Sequence, residues 1–115
     1  YIKTYLNEFE AALDAESQVY RDYIDIDSWV DYFMIIEFTK EGDAYDLSVF
    51  FHKDRGGKLK AGPVWDQNLG FKNYWKSELE GWAYLNPKRK VPWYWPKLLN
   101  ERGFVAAVQA RWAVL

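Results

Sequence analysis

A chain of 115 residues is long enough for one domain and one modest core. Half of it is hydrophobic and a fifth aromatic, with seven Trp and nine Tyr, which excludes a disordered chain and points to large flat contact surfaces. A net charge of −2 excludes the basic field that attracts nucleic acid, and the absence of Cys excludes disulfides, zinc–thiolate centres and thiol catalysis. Residues 1–13, YIKTYLNEFEAAL, place Ile2, Tyr5, Leu6, Phe9 and Leu13 on one helical stripe, with Lys3, Glu8 and Glu10 mostly off it. The chain opens in this helix with neither Met nor a signal peptide, so we expect a piece of something longer. No apolar run approaches the roughly 20 residues of a membrane span.

The next element is read from DIDSWVDYFMIIEFTKEGD. Asp25 or Asp27 can cap a helix by accepting a free backbone N–H. From Trp29 to Phe38 nearly every position is apolar, which predicts a helix over 27–40 buried on most sides and ended by Gly42. Residues 45–53, YDLSVFFHK, are rich in β-branched and aromatic types, and GKLKAGPVW follows the turn signal DRGG. This predicts a β-hairpin with its tip near residues 54–57. In AGPVWDQNLGF, a Gly-Pro turn leads through Val64 and Trp65 to Asp66, with Asn68 and Gly70 at alternate positions behind it. Residues 71–90 are irregular, with charges, Trp75, Gly81, Trp82 and Pro87, and read as loop broken at most by a short helix. Then VPWYWPKLL and GFVAAVQARWAVL read as two helices; Pro92 suits a first turn, and Phe104, Val108 and Trp112 recur every four residues. There is no internal repeat, low-complexity tract or linker. The order is that of a single, mostly helical α+β domain over residues 1–115.

The hairpin gives two acids a geometric relation. Antiparallel strands bring their outer ends together, so Asp43, before the first strand, and Asp66, closing the second, should converge at the open end. Converging carboxylates repel and tolerate each other best with a cation between them. Oxygen ligands without nearby His or Cys suit Mg²⁺ or Mn²⁺ rather than zinc, and Asn68 adds a further oxygen. The plain alternative is a pair of solvated acids at strand ends.

The segments YIDIDSWVDYFMIIEFTKEGDAY, FFHKDRGGKLKAGPVWDQNLGF and PWYWPKLLNERGFVAAVQARWAVL together resemble the CotH kinase family of spore-coat-protein-H-like atypical kinases. GPVWD, with KDRGGKL before it, carries the resemblance most distinctively. It implies the C-terminal-lobe-like part of an atypical protein kinase fold, with a hairpin bearing the active-site acids. It implies ATP- and metal-dependent phosphorylation of a protein Ser or Thr hydroxyl. Asp43 matches the family's catalytic loop acid. Asp66 with Asn68 matches its metal-binding motif, in the place where other kinases carry Asp-Phe-Gly. Five positions after the loop acid, where many members carry Asn, this chain has Ser48, a weaker cation ligand at the second metal and nucleotide contact; Asp46 stands near enough in sequence to compensate. No glycine-rich phosphate loop or strand lysine precedes these residues, so the resemblance implies a nucleotide clamp upstream and little activity for this part alone. It also implies a bacterial protein outside the cytoplasm, in a spore coat or at the cell surface. The apolar helix and the number of Trp predict an exposed aromatic patch or self-association, drawing on YIKTYLNEF or WAYLNPKRKVPWYW.

Other residues have plainer readings. His52, the only histidine, lies mid-strand without a Ser or Cys partner and reads as a surface or packed side chain. Glu37, in the most apolar helix, needs a buried partner or a hydrogen bond to the loop around Asp43, and supports rather than performs chemistry. Lys88, Arg89 and Lys90 read as a solvated charge run. Two other functions fit the same residues. One is a glycan-binding or glycan-cleaving module, with acids roughly 5–10 Å apart beside GWAYLNPKRKVPWYW. The other is a noncatalytic module of a coat or surface layer.

Overall fold

The stripe at the start of the chain folds as α1 (Ile2–Asp14), burying Phe9 and Leu13. The computed structural model describes residues 1–73 and 78–115; Trp75 lies outside the described residues. After the one-turn helix α2 (Tyr20–Tyr23), α3 runs from Ile26 to Thr39. Of the two candidate caps it is Asp25 that serves, its carboxylate accepting the Ser28 N–H at 2.9 Å. The far end departs from expectation. The helix stops at Lys40, not Gly42, with Lys40 in the left-handed region at φ 56° and its N–H donating to Ile36 O at 2.8 Å. A left-handed non-glycine residue costs about 1–2 kcal/mol. Here tertiary contacts offset that cost, because Lys40 Nζ donates to Glu37 at 3.3 Å and to Gly81 O at 2.6 Å. The helix also has one open side, with Ile35 and Phe38 exposed.

The core is aromatic. Trp29 packs against Phe51 and Trp95 at centroid distances of 4.9 and 5.0 Å, and against Phe9 and Tyr94 slightly further out. Its indole N–H donates to Leu59 O at 3.1 Å. Trp95, wholly buried, extends the cluster to Tyr32, Phe33 and Tyr45.

The hairpin forms with its tip where the turn signal lies, but it is short. β1 (Phe51–His52) pairs antiparallel with β2 (Lys60–Ala61), Phe51 opposite Ala61. One further bond, Gly62 N–H to Phe50 O at 2.8 Å, extends the ladder before Pro63, which has no N–H to give. Residues 45–50, expected as strand, are not. The N–H groups of Asp46, Leu47 and Ser48 all converge on Asp43 O at 3.2, 2.9 and 3.0 Å, closing a turn that competes with the ladder.

Among the described residues of 71–90 there is one short 3-10 turn, Ala83–Leu85, in keeping with the irregular pattern. α4 (Tyr94–Leu98) begins two residues beyond Pro92, and α5 spans Arg102–Ala113. Along α5 the four-residue stripe leaves the core: Phe104 is buried, Val108 half-buried and Trp112 65% exposed. Among the described residues helix dominates, with one two-stranded antiparallel sheet, so the fold is mixed α+β.

Glu101 caps α5 and makes its stability depend on pH. Its carboxylate accepts the N–H groups of Gly103 and Phe104 at 2.9 and 2.7 Å, the Tyr20 hydroxyl, and Gln18 Nε2 at 3.0 Å. Burial favours the neutral acid, but these donors outweigh it and hold the carboxyl down at about 2 from an ordinary 4.5. A depressed folded value stabilises above the unfolded one, so the contribution is present at pH 5 and fades as pH falls towards 2. Discounted for solvent screening it is worth about 1–2 kcal/mol. Glu101→Gln should therefore melt lower than wild type at neutral pH, with the two curves converging below pH 3. A difference in melting temperature that stays constant from pH 7 to pH 2 would contradict this.

Candidate active site

The site grows from the end of α3. Glu37, 6% exposed on the last turn of the helix, accepts four hydrogen bonds. They come from Lys40 Nζ, from the Tyr45 hydroxyl at 2.7 Å, and from the Ala83 and Tyr84 N–H groups at 2.6 and 2.9 Å. One carboxylate thus ties the helix to the 3-10 turn Ala83–Leu85 and to the turn that starts at Asp43. Burial, reinforced by Glu37, drives the Tyr45 hydroxyl well above its ordinary value, so it stays a donor.

Asp43 is half-buried and Asp66 is exposed. Ser48, 8% exposed, joins their segments: its N–H donates to Asp43 O at 3.0 Å and its hydroxyl to Asp66 Oδ2 at 3.1 Å. Asp46 sits on the same turn, half-buried, its N–H also directed at Asp43 O. It does not occupy a strand face, because pairing begins only after it. Asp66 adopts a left-handed backbone at φ 56°, ψ 47°, and opens a second 3-10 turn, Gln67–Leu69. Asp tolerates this region better than most residues, and such outliers gather at functional sites. Asn68 is exposed on that turn, its main-chain oxygen accepting Asn73 Nδ2 at 2.6 Å.

The turn is clamped onto α3. Phe71 N–H donates to Thr39 O at 2.6 Å, and Thr39 Oγ1 donates to Gln67 Oε1 at 3.1 Å. A Cβ at Gly70 would stand only 3.0 Å from Thr39 O, which explains the glycine behind the acid. Two residues that sequence reasoning passed over complete the frame. Glu41, wholly buried, accepts the Asp43 N–H at 3.3 Å and the Leu69 N–H at 2.9 Å. Arg89 donates to the main-chain oxygens of Glu41 and, at 2.7 Å, Lys40. Arg89 is therefore half-buried and not part of a solvated run, and burial lowers its pKa. Lys88 does stay at the surface, paired with Glu78 at 2.8 Å. Neither Glu41 nor Arg89 carries a periodic or motif signal, and Arg89 lies in a run that reads as surface charge.

Among the described residues, no three or more His, Cys, Asp and Glu side chains cluster closely enough to hold a metal ion by themselves. The oxygens on hand are hard ones: the Asp66 carboxylate, the Ser48 hydroxyl bonded to it and, two residues further along the turn, the exposed Asn68. Such a partial set suits Mg²⁺ or Mn²⁺ shared with phosphate oxygens, because Mg²⁺ keeps much of its shell from water and substrate. His52 stays outside this group, exposed on the hairpin with Nδ1 at 3.0 Å from Gly62 O. Away from the acids, Phe33, Met34, Phe38, Trp82, Val108 and Trp112 line an apolar groove of about 470 Å³ between α3 and α5. Exposed aromatics do occur, including Trp82 from the WAYLNPK stretch.

The molecule is thus a mainly helical α+β protein in which two acid-bearing loops meet at the open end of a hairpin. The family model described as CotH kinase protein matches residues 1–115, the whole chain, and the chain belongs to the CotH kinase family. No curated protein and no solved structure matches it. Among the described residues no helix is long and apolar enough to cross a membrane.

Proposed function

We propose that the chain is the acid-bearing part of a kinase that transfers phosphate from ATP to a Ser or Thr hydroxyl of a protein. The observation that carries this reading is Ser48, whose amide and hydroxyl tie the Asp43 loop to the Asp66 carboxylate. Asp66, with Ser48 and Asn68 beside it, would hold Mg²⁺ or Mn²⁺. A bound metal–ATP complex supplies the phosphoryl group and neutralises charge on its oxygens. Asp43 orients the substrate hydroxyl and accepts its proton. Glu37 and Asp46 support the loop. Family membership favours a kinase over a glycan-cleaving or purely structural module, and it favours a spore coat or cell surface as the place of action.

The test is nucleotide binding and phosphoryl transfer in the intact protein, with and without Mg²⁺ or Mn²⁺. Asp66→Ala should weaken metal-supported ATP binding by about 100-fold or more, because the cation neutralises phosphate charge. ATP binding that ignores both the metal and Asp66 would contradict the assignment. Metal-free activity on a sugar substrate would favour the glycan reading instead.

A further inference from the structure

We infer that Glu41 is a positioning residue that sets the place of the Asp43 loop relative to the Asp66 turn, an inference that rests on the kinase reading of those two acids. The two loops are far apart in sequence, yet each gives one backbone N–H to a different oxygen of the same carboxylate. Oε1 takes the N–H of Asp43 itself, at 3.3 Å. Oε2 takes the N–H of Leu69, three residues beyond Asp66, at 2.9 Å. Ser48 makes the other tie between the loops, through its hydroxyl on Asp66. Glu41 is wholly buried, and a buried carboxylate is costly unless its oxygens are met by donors. Its own main chain is held in turn by Arg89, which donates to its carbonyl. The carboxylate is therefore a strap of fixed length, anchored at its base and gripping one loop with each oxygen. An amide cannot do the same, because one of its two ends is itself a donor.

Glu41→Gln keeps the shape and removes one grip. The shorter contact, to Leu69, is the one that the remaining carbonyl oxygen keeps. The Asp43 N–H then faces an NH₂ group, and the Asp43 loop shifts while the Asp66 turn stays. In the intact protein, kcat should fall about 10- to 100-fold, the size expected for a misplacement near 1 Å, with KM for Mg·ATP unchanged. In an Asp43→Ala background the same change should cost nothing further, since the group that it positions is gone. Glu101→Ala, at the distant α5 cap, serves as a destabilised control whose kcat at a permissive temperature should equal that of the wild type. If Glu41→Gln does not fold, Arg89→Lys tests the same strap through its anchor. Lysine cannot reproduce the forked contact to both carbonyls, so kcat should fall by a smaller factor at constant KM.

Wild-type kcat in Glu41→Gln, or a full further loss in the Asp43→Ala background, would overturn the inference while leaving the roles of Asp43 and Asp66 standing. Full transfer by Asp43→Ala alone would overturn the role of Asp43, and this inference with it, whereas a wild-type protein that transfers no phosphate from ATP in the presence of Mg²⁺ or Mn²⁺ would overturn the kinase reading itself.

Discussion

Glu37→Ala should lower the unfolding free energy by about 3–5 kcal/mol, the range for removing one partner of a buried ion pair. The size follows from what is left behind. Lys40 keeps its bond to Gly81 O but loses its ion pair with the Glu37 carboxylate. The Tyr45 hydroxyl loses the carboxylate that accepts its hydrogen bond, and the Ala83 and Tyr84 N–H groups lose their acceptor. Unmet buried donors cost about 1–3 kcal/mol each, although a shared network does not lose them additively. Against a typical total stability of about 5–15 kcal/mol, this is a large fraction. The denaturant midpoint should fall with the slope unchanged. Glu37→Gln should cost about half as much, since one carbonyl oxygen remains to accept. A loss below about 1 kcal/mol for the alanine variant would mean that water replaces the carboxylate and that the frame behind Asp43 is not built on it.

Asp43→Ala should reduce phosphoryl transfer by about 10²–10⁴-fold in the intact protein, the range for a lost general base, while ATP binding stays within a few-fold of wild type. The separation follows from position. Asp66 carries the Ser48 contact and stands exposed two positions before Asn68, so under the kinase proposal it is the acid that would hold a shared cation. Asp43 is half-buried, and its main-chain oxygen closes the turn that carries Ser48, so the backbone needed to place Ser48 survives when the side chain is removed. Folding should accordingly change little. Equal loss of nucleotide binding in Asp43→Ala and Asp66→Ala would make both acids metal ligands and would remove the division of roles.

Much of the local structure was legible in the chain. The α1 stripe, the Asp25 cap and the hairpin tip all rest on interactions within a few residues, and those are what a sequence displays directly. Family membership was legible too, because GPVWD and its surroundings form a distinctive run. Where expectations failed, a distant partner or a competing local turn decided the outcome. Gly42 looked like the helix stop on intrinsic preference, yet Lys40 takes the left-handed position because its ammonium reaches Gly81 O, 41 positions away. Residues 45–50 looked like a strand by composition, yet three N–H groups satisfy themselves on Asp43 O instead. Arg89 looked like solvated charge and Glu41 gave no signal, and they became structural through contacts spanning 48 and 28 positions. Local preference among such states differs by about 1 kcal/mol, whereas an unmet buried charge or N–H costs more. The sequence by itself therefore determined most of the helices, the place of the hairpin and the family, and it singled out two acids as candidates. Only the tertiary structure decided which buried carboxylates and cations hold those acids in place.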